Sequence, residues 1–408
     1  MSTHLAAVLP SPGQPLTIHE RATPKPGPNE LLIAVKSIAL NPADVIIGED
    51  TTGQFIPLAR DGEIILGFDL SGLVLDVGEN VPSKARFQQG KTRIAAYSAS
   101  FWRSWDPNYG ALQQRCLVPW QHCVILPDNI SFHDGASIPV AVSVALNAWE
   151  ILGLELGQDS ITGGDNVCQE IRGEDEDKRV GTGREALLIW GASSSVGTMG
   201  VQTAALLRSQ GQVYMVYATA GEANMGYAKS LGADRVWDYK DANLLEKISA
   251  SAKKDGVVIR RIFLAKGNLP MCREVLGIFY PEIHGGDSCE GENIGDYKSC
   301  VTTSARAVRG KIASAPPIPA EDAGDDLGSE RSPKFEMVWL VPSMDEERRL
   351  AQFRYWMGEW LTHCLAKGTV RPSPEVKVLG KGLEAINGGI QMLKNGVSCC
   401  KLVVEIDD

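Results

Sequence analysis

The chain has 408 residues, too many for one ordinary hydrophobic core, and an apolar content of 44% that can fill two. A formal charge of -10, from 40 basic against 50 acidic side chains, argues against a nucleic-acid partner but leaves room for a local pocket that holds one phosphate. Nine cysteines, an odd number, do not make a disulfide scaffold at this length, and no run reaches the roughly 20 apolar residues that cross a bilayer. With no signal-peptide pattern in Met1-Ser2-Thr3-His4-Leu5, the expectation is a cytoplasmic chain without membrane contact.

The first part reads as β-rich. Leu5 to Leu9 is a short apolar run, and Pro24-Lys25-Pro26-Gly27-Pro28-Asn29 is a turn. Leu31, Ile33, Val35 and Ser37 then alternate with Leu32, Ala34 and Lys36, a strand apolar on both faces. Further runs at Gly72 to Val77, Thr92 to Tyr97 and Cys116 to Trp120 complete a partly barrel-like set. From Ser137 to Leu152 the longer apolar stretch predicts a helix leading into a second unit.

There the strand Leu187-Leu188-Ile189-Trp190 runs into the turn Gly191-Ala192-Ser193-Ser194-Ser195-Val196-Gly197 and then a helix with Val196, Gly200, Thr203 or Ala204, and Leu207 on one face. Gly211 ends it, and Val213 to Ala218 is the next strand, which makes a βαβ unit. A strand that delivers a tight turn into a helix points free N–H groups at a pyrophosphate, and small residues let it come close. Ala192, Ser194 and Gly197 hold the three small positions of a relaxed dinucleotide fingerprint, and Gly191, Ser195 and Val196 complete the predicted cofactor turn; a merely structural glycine/serine turn is the alternative. At the tip of the second strand, Thr219 and Ala220 leave room for a 2′-phosphate, with Tyr227 and Lys229 as candidate neighbours. NADPH is therefore favoured over NADH, which Glu222 keeps open.

Two polar stretches, Gly163 to Thr182 and Pro281 through Ser332, read as loops on a fixed scaffold. Leu350, Phe353, Met357, Trp360, Leu361 and Cys364 mark a long helix that Gly368 stops, and Leu383, Ile386, Ile390 and Leu393 mark a shorter one. Asn395-Gly396 turns the chain into a closing strand, Lys401 to Ile406.

Asn41-Pro42-Ala43-Asp44, Gly67-Phe68-Asp69-Leu70-Ser71-Gly72, the Gly191 to Gly197 turn, Lys229-Ser230-Leu231-Gly232-Ala233 and Lys401-Leu402-Val403-Val404 occur in an order that resembles the medium-chain dehydrogenase/reductase family. The resemblance is to its zinc-free quinone- and enoyl-reductase branch, and most of all to fungal trans-acting enoyl reductases of polyketide biosynthesis. It implies an α/β protein: a discontinuous GroES-like β-rich catalytic domain, residues 1–150 and 330–408, and a Rossmann-type doubly wound nucleotide-binding domain, residues 151–329, with polar insertions. Zinc is not expected, because Asn41 and Phe68 stand where metal-containing members carry cysteine and histidine. The implied activity is NADPH-dependent reduction of an activated C=C bond in a small or carrier-bound enoyl substrate, with a polyketide synthase or acyl carrier as transient partner. A quinone or other enone reductase, and an inactive cofactor-binding subunit, are the alternatives.

The resemblance puts Asn41, Asp44 and Ser143 beside the nicotinamide, against which stand an Asx turn around Pro42 and a helix serine bonded to its own backbone. Tyr97, Phe101, Trp102, Trp105 and Tyr109 are candidates to line an apolar substrate pocket, with plain packing as the competing reading. His122 next to Cys123 is expected to be structural, without a third ligand nearby.

Overall fold

A computed structural model describes residues 2–57, 62–156, 184–279, 310–319, 335–341 and 343–407. A hairpin of β1 (Thr3–Val8) and β2 (Thr17–Ala22) leads into a sheet built from β3 (Glu30–Ala39), β4 (Asp69–Val77), β5 (Arg93–Tyr97), β6 (Arg115–Pro119) and β7 (Cys123–Ile125). Two late strands join it, β15 (Val376–Lys381) and β16 (Lys401–Glu405), giving the order β15-β16-β3-β4-β5-β7, with β6 on β3. One edge of β3 is shared: Glu30 to Ala34 pair with β6, and Ser37 to Ala39 pair with β16. The predicted two-faced apolar pattern of β3 follows, since almost every side chain on it is buried.

The second sheet comprises β8 (Arg184–Trp190), β9 (Met215–Ala220), β10 (Arg235–Asp238), β11 (Val257–Val258), β12 (Arg261–Leu264), β13 (Gly310–Ser314) and β14 (Phe335–Trp339). Its order β10-β9-β8-β12-β13-β14, with every pairing parallel, is the doubly wound order of a dinucleotide-binding fold. The strand order reverses between β8 and β12, and the crevice at the carboxyl ends of those strands is where such folds take their ligand.

Two expectations need correcting. The interval 281–332 is not all loop: β13 lies in it, because a parallel sheet needs an inner strand between β12 and β14. β14 pairs with β13, so the nucleotide sheet runs past residue 329 to Trp339, and the boundary at 330 falls too early. The remainder of that interval, 281–309 and 320–332, and the stretch 163–182 lie outside the described residues.

The helices follow their sequence signals. α1 (Pro42–Gly48) and α3 (Pro139–Ile151) each begin on a proline, and α2 (Phe132–Ala136) between them is capped by the Ser131 side chain. α4 (Ser195–Ser209) is capped by Ser194, and Gly200 lets it lie on the sheet: a β-carbon there would sit 2.8 Å from the Phe263 ring. α5 (Met225–Ser230), α6 (Leu244–Asp255) and α7 (Leu269–Phe279) complete the wound layers. The long late helix departs from one regular α-helix: α8 (Glu346–Phe353) and α9 (Thr362–Lys367) flank a π-helical stretch, Arg354–Leu361. Gly368, at φ +68°, ends it as expected, and α10 (Ala385–Lys394) precedes the closing strand. Among the described residues no helix is long and apolar enough to cross a membrane.

Candidate active site

The predicted cofactor turn lies at the end of β8, on the crevice between β8 and β12. Gly191 takes φ +80°, and a β-carbon there would meet Lys266 O at 2.4 Å. At Gly197 one would meet Gly191 O at 2.2 Å, so the helix start is pressed against the turn. Ser194 Oγ donates to Gly191 O at 2.8 Å and accepts the Gly197 amide at 3.1 Å. That cap leaves the earlier first-turn amides of Ser195 and Val196 for a ligand. The Ser195 hydroxyl oxygen is buried without a hydrogen-bond partner, a place that a phosphate oxygen would satisfy. Ala192 is buried and braced by Thr219 O at 2.8 Å. A pyrophosphate fits these residues.

The second strand tip is arranged differently from the sequence reading. Thr219 is buried, and its hydroxyl accepts the Gly191 amide at 3.1 Å, so it braces the turn from behind. Ala220 is buried too, and its carbonyl accepts the Tyr239 amide. The Tyr239 ring stands beside Gly221, whose β-carbon would be 3.7 Å from it, and the Lys240 ammonium lies 5.7 Å from the ring. Tyr227 turns toward the Arg371–Glu375 loop, where burial and the nearby Cys399 thiol push its hydroxyl pKa up. Lys229 is exposed. Tyr239 and Lys240 went unread, although they directly follow β10, the neighbour of β9 in the sheet.

The three candidates beside the nicotinamide fall near one another. Asn41 precedes α1 and is buried; its Oδ1 accepts Lys401 Nζ at 2.6 Å, while its Nδ2 donates to Asp69 Oδ2 at 3.0 Å and Ala39 O at 3.3 Å. Both amide hydrogens are thus engaged within the protein. Asp44 Oδ2 accepts the Asn41 amide at 2.7 Å, and Oδ1 is buried without a hydrogen-bond partner. Burial raises the Asp44 pKa from 3.8 to about 7. Ser143, buried in α3, donates to Val140 O at 3.0 Å and keeps its lone pairs. Asp69 connects the two sites, since its Oδ1 accepts the Val140 amide at 2.8 Å.

Four of the five aromatic candidates form one box. Tyr97 meets Phe68 edge-on at 6.2 Å and Trp102 at 5.2 Å, and Phe101 meets Trp102 and Trp105 at 5.9 and 5.8 Å. Trp105 is buried and donates its indole N–H to Phe55 O, which pins that loop. Tyr109 turns away, donating to Glu30 Oε1 at 2.6 Å. The late helix adds Phe353, stacked on His122 at 4.3 Å, and Arg349, whose guanidinium lies 4.9 Å over Trp102. His122 Nδ1 donates to Tyr97 O at 3.0 Å, and burial holds its pKa down at about 3. Among the described residues no three His, Cys, Asp or Glu side chains are grouped to hold a metal ion.

Comparison with known proteins agrees with this architecture. Residues 27–128 match the model of the alcohol dehydrogenase GroES-like domain. The trans-enoyl reductase tndF of Aspergillus flavipes is 32% identical over 404 residues, 99% of each chain. The trans-enoyl reductase tazE of Aspergillus terreus is 40% identical over 256 residues, 63% of this chain and 75% of that one. The crystal structure of the CurK enoyl reductase superposes with a TM-score of 0.66 at 16% identity, covering 99% of both chains, and shares the fold. On the full-length likeness, the chain belongs to the medium-chain dehydrogenase/reductase family, in its zinc-free branch of fungal trans-enoyl reductases.

Proposed function

We propose that this protein is a trans-acting enoyl reductase that takes hydride from NADPH to reduce the C=C bond of an α,β-unsaturated thioester carried on a polyketide-synthesising partner. The general activity, NADPH-dependent reduction of an activated C=C bond, comes with the branch. The carrier-bound substrate is the finer reading, and the names of two relatives as trans-enoyl reductases support it.

The observation that carries the proposal is the cradle at Gly191 to Gly197, with its capped glycine, open first-turn amides and orphaned Ser195 hydroxyl. NADPH bound there supplies the hydride. The chain's own task is alignment of the two partners and placement of donors at the enolate oxygen that develops. In this reading Gly191, Ala192, Ser194, Ser195, Val196 and Gly197 hold the pyrophosphate, and Tyr239 and Lys240 receive the 2′-phosphate. Tyr97, Phe101, Trp102 and Trp105 give the acyl chain an apolar wall.

An NADPH-consumption screen over enoyl thioesters, free enones and quinones, with product identification, tests it. Turnover of carrier thioesters well above quinones is the expected result. Quinone turnover alone would replace the substrate reading, and tight NADPH binding without turnover would reduce the protein to a binding subunit. NADPH should also bind more tightly than NADH, and equal affinities would remove the role given to Tyr239 and Lys240.

A further inference from the structure

Lys401 opens β16 and is 3% exposed, yet its side chain is charged and long. The ammonium lies 2.6 Å from Asn41 Oδ1 and 3.0 Å from Asp69 Oδ2. Through Asp69 it reaches the Val140 amide in the first turn of α3, and through Asn41 the start of α1. One cation therefore joins four pieces of chain that are far apart in sequence: β16, β4, the β3–α1 junction and α3. Desolvating an ammonium and a carboxylate is costly, and a well-packed apolar junction is often as stable or more so. What a hydrogen-bonded junction adds is direction, because each partner has only a few allowed orientations.

We propose that Lys401 is a positioning residue of the active site: its ammonium balances Asp69 and fixes the Asn41 carboxamide, locking the start of α1 to the start of α3, which carries Ser143. The proposal rests on the reading of Asn41, Asp44 and Ser143 as flanking the reacting groups. Asp44 supplies a gauge of it. Facing Asp44 are Lys401 from β16, Asp69 from β4 and Tyr97 from β5, while Lys394 of α10 is paired with Glu49 at 2.6 Å. Among the described residues one cation thus faces two buried carboxylates, and Lys401 is committed by hydrogen bond to Asp69. Burial above all holds the Asp44 pKa up at about 7, and Lys401 is an attraction that favours its charged form.

The test uses full-length Lys401→Met, Lys401→Arg, Lys401→Gln and Asp44→Asn, each checked for folding by thermal unfolding and for NADPH binding by fluorescence. Two readouts follow: turnover of a crotonyl thioester, and carboxyl carbon NMR of aspartate-labelled protein, with the Asp44 signal identified by its loss in Asp44→Asn. Lys401→Met is expected to bind NADPH nearly as wild type while kcat falls about tenfold or more with KM little changed. Its Asp44 midpoint should move up by about one pH unit, because the neighbouring cation is gone. Lys401→Arg should return most of both. A folded Lys401→Met with wild-type kcat and an unmoved Asp44 midpoint overturns the proposal. If Lys401→Met does not fold, Lys401→Gln, which keeps a hydrogen-bond donor but no charge, decides by the same two readouts: a lower kcat or a raised Asp44 midpoint supports the proposal, and wild-type values of both overturn it. If the wild-type protein reduces no thioester or enone, the functional reading fails, and the Asp44 midpoint, which needs no substrate, still decides for or against the charge balance.

Discussion

Two buried groups, His122 and Asp44, make opposite contributions to stability as pH changes. The folded chain keeps His122 neutral, with a pKa near 3 against an ordinary 6.5. An unfolded chain binds that proton first, so the stability His122 contributes is complete above pH 6.5 and is lost as pH falls toward 3. Urea unfolding across this window should show a decline of up to about 1.4 kcal/mol per pH unit that flattens in His122→Phe. Asp44 runs the other way: its folded pKa is raised to about 7, so its contribution is complete below the ordinary 3.8 and is lost as pH rises through 7. Asp44→Asn should therefore gain on wild type in urea midpoint between pH 5 and pH 8. Sequence reasoning singled out Asn41 and Asp44 as candidates through a local motif, and took His122 as structural, in keeping with its buried place against Phe353. Lys401 was legible only as part of a closing strand, because its partners lie 360 and 332 positions away and leave no local mark.

At the level of elements, the β8–turn–α4–β9 unit was readable because each of its signals is local: an apolar run, a glycine exit and a serine cap. Gly197→Val should abolish NADPH binding, since even a β-carbon meets Gly191 O at 2.2 Å, while the β-rich sheet keeps its circular-dichroism signal. Retained binding would count against the turn as the cradle. β13 was missed because it is five residues set in a polar interval, and β15 because Lys377 and Lys381 break its apolar pattern. The apolar stripe of the late helix was visible, but its π-helical stretch was not, because Phe353, Met357 and Trp360 keep an ordinary helical spacing through it. Gln202 was likewise unread. From α4 it donates to Arg371 O at 3.1 Å and Ser373 Oγ at 2.9 Å and accepts the Arg371 amide at 3.0 Å. Gln202→Ala leaves those groups without partners, and a loss of about 1–3 kcal/mol in urea unfolding is expected.

Across the whole molecule, the division into two sheets was legible from the change of pattern near Ser137 and the return to strand at Lys401, whereas the exact place where the chain leaves the nucleotide sheet was not. β14 is short and half-exposed, and only its pairing with β13 assigns it. Phe68 packs into the aromatic box, edge-on to Tyr97 and Trp105. Elemental analysis of the purified protein should accordingly find no stoichiometric zinc, and a full equivalent would contradict the branch assignment.

The sharing of one β3 edge between β6 and β16 also bears on synthesis. Every described strand of the nucleotide sheet lies between residues 184 and 339, so that half can assemble while the ribosome is still at work. The sheet around β3 cannot, because Ser37 to Ala39 wait for residues 403 to 405. Until then the unpaired end of β3 is an open sheet edge, the kind of surface that chaperones cover and that neighbouring nascent chains can pair with by mistake. Translation stalled before residue 401 should leave a cofactor-competent half tethered to an aggregation-prone one.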